Sequence, residues 1–176
     1  MNLDEKLCAV RAVILDVDGV MTDGRIGYLP DDGGRGAVKF FHARDGHWIK
    51  LALRAGLMVG IISGRNDEAT KRRADELGLT FCSFGIKKKL AEFERLTAEL
   101  GIAPAECLYI GDDVVDMPIM RRVGVAVAVA DALAELDEVA VWRTRLPGGH
   151  GAVCEVMHRL LEAKGLLDKI LEQYRA

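Results

Sequence analysis

The sequence lacks the features that mark several classes of protein. Its 24 basic and 27 acidic residues give a net charge of −3, which argues against a general binder of nucleic acids or anionic membranes. No apolar run approaches the roughly 18 residues that a membrane span requires. The beginning of the chain, Met-Asn-Leu-Asp-Glu-Lys-Leu, lacks the basic-then-apolar order of a signal peptide. We therefore expect a cytoplasmic protein that binds neither nucleic acids nor membranes.

The cysteines and histidines also lack the spacing of metal ligands or disulfides. The four cysteines are far apart, without a Cys-x-x-Cys pair, and the four histidines show no ligand pattern. Such cysteines are typical of reduced, mostly buried thiols. We expect neither a zinc site nor a disulfide.

The chain does contain a regular alternation of short apolar runs and helical patterns. The runs are apolar throughout, which is typical of parallel strands covered on both faces. We predict strands at 12–17, 57–62, 80–84, 107–110 and 125–129, with a weaker one at 139–142. We predict helices at 66–78, 89–100, 113–123 and 151–164. Asn66 is expected to cap the first of them, and the last begins a helical C-terminal tail over residues 151–176. This order predicts one α/β domain over residues 1–176 with a doubly wound, Rossmann-like parallel sheet.

One segment after the first strand breaks the alternation. Two β-prone pieces, 25–29 and 37–41, flank the turn-forming stretch Pro-Asp-Asp-Gly-Gly-Arg-Gly at 30–36. This pattern predicts a projecting β-hairpin. The hairpin carries more apolar surface than an exposed segment should show; the side chains concerned are Ile26, Tyr28, Leu29, Val38, Phe40 and Phe41.

Two carboxylates end the first strand. Residues 13–19 are Val-Ile-Leu-Asp-Val-Asp-Gly. Because side chains at i and i+2 of an extended chain lie on the same side, Asp16 and Asp18 point together. Carboxylates at the end of a buried strand are costly unless they are paired or bind a cation. A strand followed by an ordinary Asp-Gly turn would give the same pattern.

Polar groups also follow the next three strands. They are Ser63 and Gly64 beside a helix start that suits an anion, Lys89, and Gly-Asp-Asp-Val-Val-Asp at 111–116. Each has an ordinary alternative, since Lys89 lies in a lysine run and the Gly-Asp-Asp group is compatible with a helix cap. A doubly wound sheet nevertheless brings all four strand ends to one crevice. Carboxylates gathered there predict a hard cation, for which Mg²⁺ is suited.

These motifs resemble those of the haloacid dehalogenase superfamily, which includes phosphohydrolases with an aspartate nucleophile. Asp-x-Asp-Gly-Val-x-Thr-Asp-Gly at 16–24 matches the first motif, and Ser63, Lys89 and residues 111–116 match the second, third and fourth. More narrowly, the chain is similar to the capless 3-deoxy-D-manno-octulosonate 8-phosphate (KDO 8-phosphate) phosphatases. The supporting segments are Arg-Asp-Gly at 44–46, Ile-Ile-Ser-Gly-Arg at 61–65, Val-Ala-Val-Ala-Asp at 127–131 and Gly-Gly-His-Gly-Ala-Val at 148–153.

The resemblance implies a Mg²⁺-dependent phosphomonoesterase with an aspartyl-phosphate intermediate. Asp16 is expected to be the nucleophile, and Asp18 to protonate the leaving sugar oxygen and then to deprotonate water. The metal ligands implied are Asp16, the backbone carbonyl of Asp18, and Asp112. Asp113 and Asp116 are expected to position these ligands without binding the metal themselves. A contact of Asp113 with the metal through a water molecule is an alternative.

The resemblance also implies which groups hold the phosphoryl oxygens. These are Ser63, Gly64 and Lys89. Spacing within the family selects Lys89 from the lysine triplet, with Lys88 as the alternative.

The gaps between the first three strands leave no room for a cap domain, so the crevice would be open in a monomer. Similar phosphatases form tetramers in which hairpins close neighbouring sites, and the resemblance implies a homotetramer here. Arg44 is then expected either to bind a sugar-acid carboxylate across a subunit boundary or to pair with Asp45 or another acid.

The substrate implied is KDO 8-phosphate, with one departure from the family pattern. Cys154 stands where the pattern has arginine, directly before Glu155. A related nonulosonic or sialic acid 9-phosphate, such as KDN 9-phosphate, is therefore an alternative substrate. A non-catalytic oligomerisation domain like those of CMP-sialate synthetases is a further alternative, but it should have lost the nucleophile or the metal aspartate.

Overall fold

The computed structural model describes residues 2–28 and 37–175, and in them the strands and helices alternate as predicted. The strands are β1 (Ala12–Leu15), β2 (Gly27–Tyr28), β3 (Ala37–Val38), β4 (Met58–Ile62), β5 (Phe81–Ser83), β6 (Cys107–Gly111), β7 (Val125–Ala128) and β8 (Trp142–Arg143). The helices are α1 (Leu3–Ala9), α2 (Ala43–Arg54), α3 (Glu68–Leu77), α4 (Lys89–Leu100), α5 (Met117–Met120), α6 (Ala152–Ala163) and α7 (Leu167–Arg175). Short 3₁₀ segments lie at Pro104–Glu106, Val114–Asp116 and Ala134–Glu138.

Six of these strands form one parallel sheet in the order β5-β4-β1-β6-β7-β8. Strand β1 lies inside it, where Ile14 is in register with Gly60 of β4 and Tyr109 of β6. The chain extends the sheet to one side through β4 and β5, then returns to the other side of β1 and continues through β6 to β8. This confirms the predicted doubly wound sheet, whose crevice lies where the chain changes direction.

Both faces of the sheet are covered, which explains why its strands are apolar throughout. Side chains alternate along β1: Val13 and Leu15 belong to a core shared with α1, α2, α3 and α6, whereas Ala12 and Ile14 belong to a second core that Phe93 of α4 and Ile119 of α5 help to form. Burial on both faces is what α/β folds require of parallel strands.

Three elements differ from the prediction for local reasons. Helix α3 is capped by Asp67, not Asn66, because the Asp67 carboxylate accepts the Thr70 N–H at 2.9 Å. The predicted helix 113–123 is a 3₁₀ turn, in which the Asp116 N–H donates to the Asp113 carbonyl at 2.9 Å, followed by the four-residue α5. The weak strand predicted at 139–142 is the two-residue β8, and the 3₁₀ segment before it ends at Glu138.

Helix α1 was not predicted. Its start is fixed by a capping box in which Asn2 accepts the Glu5 N–H and Glu5 accepts the Asn2 N–H, each at 2.9 Å. Leu7 then packs in the core against the sheet. No helix in the described ranges is long and apolar enough to cross a membrane.

The two ends of the predicted hairpin pair as antiparallel strands β2 and β3, with Gly27 opposite Val38 and Tyr28 opposite Ala37. Leu29 and the predicted turn at 30–36 lie outside the described residues. Tyr28 and Phe40 are 68 % and 75 % exposed. Across the described parts of the chain, the elements between β1 and β5 are this pair of strands, α2, β4 and α3, with no cap domain.

Candidate active site

A crevice of about 350 Å³ lies beyond the carboxyl ends of β1, β4 and β6. The fold places side chains from separate strand ends there because neighbouring parallel strands end at the same edge of the sheet. Its lining residues are Asp16, Asp18, Gly64, Arg65, Lys89, Asp112, Asp113 and Val115. Six of them are site residues predicted from the sequence, and all but Val115 are polar residues or glycine.

Lys89 joins two carboxylates at the bottom of this crevice. Its Nζ lies 2.8 Å from Asp16 Oδ1 and 2.8 Å from Asp116 Oδ1. Lys89 opens helix α4 and is buried, whereas Lys88 before it is exposed. The geometry therefore brings Lys89, and not Lys88, into contact with Asp16.

Asp116 has partners for both of its oxygens. Besides Lys89, its Oδ1 accepts the Tyr109 hydroxyl at 2.7 Å, and its Oδ2 accepts the N–H groups of Asp112 and Asp113 at 3.1 and 3.4 Å. The Asp116 side chain is fully buried. It therefore orients Lys89 and fixes the backbone that carries Asp112.

The carboxylates of the crevice carry more negative charge than Lys89 compensates. Burial, together with the charge of Asp116, raises the pKa of Asp16 to about 6, although Lys89 opposes this. Burial and the charges of Asp16 and Asp116 raise the pKa of Asp112 to about 8. For Lys89, burial acts to lower the pKa, but the two carboxylates outweigh it and raise the value. A further positive charge in the crevice would therefore stabilise the ionised forms of Asp16 and Asp112.

The geometry of these oxygens fits a hard divalent cation. One carboxylate oxygen from each of Asp16, Asp112 and Asp116 lies within 4.8 Å of the other two. Because both Asp116 oxygens already accept hydrogen bonds, the carboxylates that can bind a cation are those of Asp16 and Asp112. Asp112 Oδ1 is buried without a hydrogen-bond partner among the described residues, which is costly unless a cation or water contacts it. Gly19 leaves the space for Asp112, since a Cβ there would overlap Asp112 Oδ2.

Asp18 is held by two cations that the sequence motifs do not predict for this site. Lys39, directly after β3, has its Nζ 2.7 Å from Asp18 Oδ1, and Arg65 Nε lies 3.4 Å from Asp18 Oδ2. The Lys39 side chain is fully buried. The one available sequence signal was a lysine between Val38 and Phe40 in a β-prone apolar piece, where a charge needs an explanation.

Ser63 lies behind the crevice wall, which Gly64 and Arg65 form among the described residues. Its N–H donates to the Ser83 carbonyl at 2.8 Å, and its Oγ accepts the Arg65 N–H at 3.2 Å. The hydroxyl hydrogen of Ser63 therefore remains available to donate.

Arg44 is exposed in the first turn of α2 and is not among the described lining residues of the crevice. Within the described chain it forms no ion pair with Asp45, which instead accepts the Cys154 N–H at 2.8 Å. Burial raises the pKa of Asp45. Cys154 lines a separate groove of about 550 Å³ with Trp142 and other residues, and its N–H bond to Asp45 connects it to the first turn of α2.

The parallel sheet, with aspartates after β1 and β6 and a lysine at the start of α4, defines a haloacid dehalogenase-like phosphoric monoester hydrolase. The family model for haloacid dehalogenase-like hydrolases matches residues 47–124. The 3-deoxy-D-manno-octulosonate 8-phosphate phosphatase KdsC of Escherichia coli is 44 % identical over 160 residues, which cover 91 % of this chain and 84 % of that protein. The chain belongs to the family of KdsC phosphatases.

Solved structures agree with this assignment. The crystal structure of the KDO 8-phosphate phosphatase from Yersinia pestis is 40 % identical, with a TM-score of 0.89 over 94 % of this chain and 88 % of that one. The enzyme from Moraxella catarrhalis, crystallised with a magnesium ion, a phosphate ion and a KDO molecule, is 32 % identical, with a TM-score of 0.93 over 97 % of each chain. The sequence-based prediction of a phosphatase of this family is confirmed.

Proposed function

We propose that this chain hydrolyses KDO 8-phosphate to KDO and phosphate, with Mg²⁺ as cofactor and a phosphorylated Asp16 as intermediate. The observation that carries the proposal is the pair of buried Asp16 and half-buried Asp112 beside Lys89, in which one Asp112 oxygen has no hydrogen-bond partner among the described residues. The substrate is supported by the names of the relatives and by the KDO bound to the Moraxella catarrhalis enzyme.

Asp16 attacks phosphorus while the bond from phosphorus to the sugar oxygen breaks. Lys89 contacts Oδ1 of Asp16, which leaves the other oxygen for this attack. Asp18 gives its proton to the departing sugar oxygen, and then takes a proton from the water that attacks the phosphorylated Asp16. Free Asp16 and inorganic phosphate result.

The metal ligands on this chain are the carboxylates of Asp16 and Asp112 and the backbone carbonyl of Asp18. Bound Mg²⁺ supplies charge neutralisation for the phosphoryl group. Asp116 acts behind these ligands, because it orients Lys89 and accepts the backbone N–H groups of Asp112 and Asp113. Asp113 sits at the rim, where it accepts the Val114 N–H.

The phosphoryl oxygens are held by Lys89, by the Ser63 hydroxyl and by the backbone N–H of Gly64. Lys89 is fixed before the substrate arrives by its contacts with Asp16 and Asp116. A preorganised cation of this kind stabilises the charge of the transition state without reorganisation during the reaction.

We further propose a homotetramer in which hairpins close neighbouring crevices, with the exposed Tyr28 and Phe40 in the contacts. Arg44 is then free to meet the carboxylate of a substrate in a neighbouring subunit. We place the reaction in the cytoplasm, where the four cysteines, all free thiols here, would stay reduced. A monomer in size-exclusion chromatography with light scattering would contradict the assembly.

Cys154 favours a second candidate substrate class. A nonulosonic 9-phosphate such as KDN 9-phosphate undergoes the same chemistry, and Cys154 stands where the family pattern has arginine. A non-catalytic oligomerisation role is not supported, because Asp16, Asp18 and Lys89 meet in one crevice with Asp112.

The test is phosphate release from KDO 8-phosphate, KDN 9-phosphate and common hexose phosphates, with Mg²⁺ or with EDTA. We expect Mg²⁺-dependent turnover that prefers KDO 8-phosphate and is lost in Asp16→Asn. Preference for KDN 9-phosphate would retain the mechanism and overturn the substrate. A folded protein that turns over none of them would overturn the proposed function.

A further inference from the structure

A buried lysine links the hairpin base, the aspartate pair and helix α3. The Lys39 Nζ lies 2.7 Å from Asp18 Oδ1 and 2.7 Å from Asp67 Oδ2, and it donates to Thr70 Oγ1 at 3.1 Å. Its side chain has no exposed surface. A lysine so placed costs stability unless close carboxylates compensate it, and two of them do.

We propose that Lys39 is a positioning residue that holds Asp18 in the orientation needed for proton transfer to the leaving group. The inference rests on the proposed function, because it concerns the acid of that reaction. Lys39 directly follows β3, which belongs to a strand pair outside the main sheet, and its side chain reaches Asp18. It acts through Asp18 and touches none of the reacting atoms.

The two oxygens of Asp18 have different surroundings. Oδ1 is buried and faces Lys39, whereas Oδ2 lies 3.4 Å from the half-exposed Arg65, which lines the crevice. Lys39 therefore pairs with the buried oxygen of Asp18, not with the one beside Arg65. The oxygen left toward the crevice is the one that can carry the proton to the sugar oxygen.

The position of Lys39 is itself fixed from the other side. Asp67 caps α3 through the Thr70 N–H and also accepts the Thr70 hydroxyl at 2.9 Å. Burial acts to raise the pKa of Asp67, but its hydrogen bonds from Lys39 and Thr70 outweigh this and lower it. Asp67 therefore stays a carboxylate that anchors Lys39 to the helix.

A positioning role for an acid can be separated from a structural role by the leaving group. A sugar alkoxide needs a proton as the bond from phosphorus to oxygen breaks, whereas p-nitrophenolate spreads the negative charge over its ring and departs without one. The variant for the test is Lys39→Met, which keeps the length and removes the charge. The measurement is the single-turnover rate of leaving-group release with Mg²⁺, because the later hydrolysis step also uses Asp18.

We expect Lys39→Met to slow release from KDO 8-phosphate by about tenfold or more, and release from p-nitrophenyl phosphate by less than about twofold. Lys39→Arg should recover most of the rate with KDO 8-phosphate. Asp67→Asn should cause a smaller loss of the same kind, because asparagine still caps α3. Lys50→Met, the same change at an exposed lysine of α2, should leave both rates unchanged.

Equal losses with both substrates, or no loss with either, would overturn the role of Lys39. A wild-type protein that ignores KDO 8-phosphate but hydrolyses another alkyl phosphate would overturn only the proposed substrate, and the comparison would then use that alkyl phosphate. If Lys39→Met does not fold, Asp67→Asn provides the test. A slower leaving-group release from KDO 8-phosphate alone would support the positioning role of Lys39. An equal slowing with both substrates would refute it.

Discussion

Replacing Asp112 by asparagine should stabilise the protein in the absence of metal and abolish its stabilisation by Mg²⁺. Asp112 lies beside Asp16 and Asp116 and keeps one buried oxygen without a partner in the described chain. Its charge is therefore unfavourable in the folded protein until a cation arrives. Asparagine retains the shape of the side chain and removes that charge.

The size of the effect follows from the pKa of Asp112, which is 3.8 for an ordinary aspartate and about 8 in the fold. Since the folded value is the higher one, ionisation opposes folding. The loss of stability is absent below about pH 4, grows as the pH rises through this interval, and is complete above about pH 8. The full difference would amount to about 6 kcal/mol. Because Asp112 is only half-buried and solvent screens its charge, we expect about 2 kcal/mol.

The assay is thermal unfolding in EDTA and in saturating Mg²⁺ at about pH 5 and about pH 9. In EDTA, Asp112→Asn should unfold roughly 4–8 °C above the wild type at the higher pH, with a much smaller gap at the lower pH. Mg²⁺ should raise the midpoint of the wild type by mass action and leave that of the variant unchanged. Asp75→Asn, which removes the same charge at an exposed position of α3, is the matched control.

Two results would refute this reasoning. One is a variant that is less stable than the wild type in EDTA at the higher pH, which would mean that Asp112 stabilises the metal-free fold. The other is an equal rise of both midpoints with Mg²⁺, which would mean that the cation binds elsewhere.

Three further substitutions test other parts of the site. Asp16→Asn should reduce phosphate release by at least about 10³-fold while the fold is retained, as measured by steady-state kinetics and circular dichroism; residual activity near that of the wild type would remove Asp16 as the nucleophile. Tyr109→Phe deletes the hydroxyl that donates to Asp116 and should cost about 1–3 kcal/mol in urea unfolding; an unchanged midpoint would contradict the importance of that bond. Gly148→Ala adds a Cβ that would overlap the Gly19 carbonyl oxygen and should cost about 1–3 kcal/mol, together with weaker Mg²⁺ binding in calorimetry; full affinity would show that the loop after β1 does not depend on Gly148.

The sheet and most of the crevice could be predicted because they depend on local patterns and on topology. Apolar runs without alternation predict strands covered on both faces, and the cores on either side of β1 are the physical reason. Once the sheet is doubly wound, its strand ends meet at one edge. The sequence alone therefore predicts that Asp16, Lys89 and Asp112 lie in one crevice.

Lys39 could not be placed in this way. Its contacts with Asp18 and Asp67 join segments far apart in sequence, and no periodicity marks an ion pair between a hairpin base and a helix cap. The predicted helix 113–123 was wrong over much of its length for a different, local reason. The apolar pattern favours a helix, but the Asp113 and Asp116 side chains bond to nearby backbone N–H groups and stabilise a tighter turn.

Two segments outside the crevice, the one with Asp131 and the one with Gly148 and Gly149, contact each other, and the glycines pack on the loop after β1. Asp131, which follows β7, accepts the Gly148 N–H at 2.9 Å, and the Gly149 N–H donates to the Val20 carbonyl at 3.0 Å. A Cβ at either glycine would overlap the backbone of residues 19–23, and Gly149 has a φ of +68°. The chain thus packs backbone against backbone behind Asp16 and Asp18. Because the carboxylates of the crevice repel one another, this backbone contact supports the loop after β1 in addition to the ion pairs that Lys89 and Lys39 make with Asp16 and Asp18.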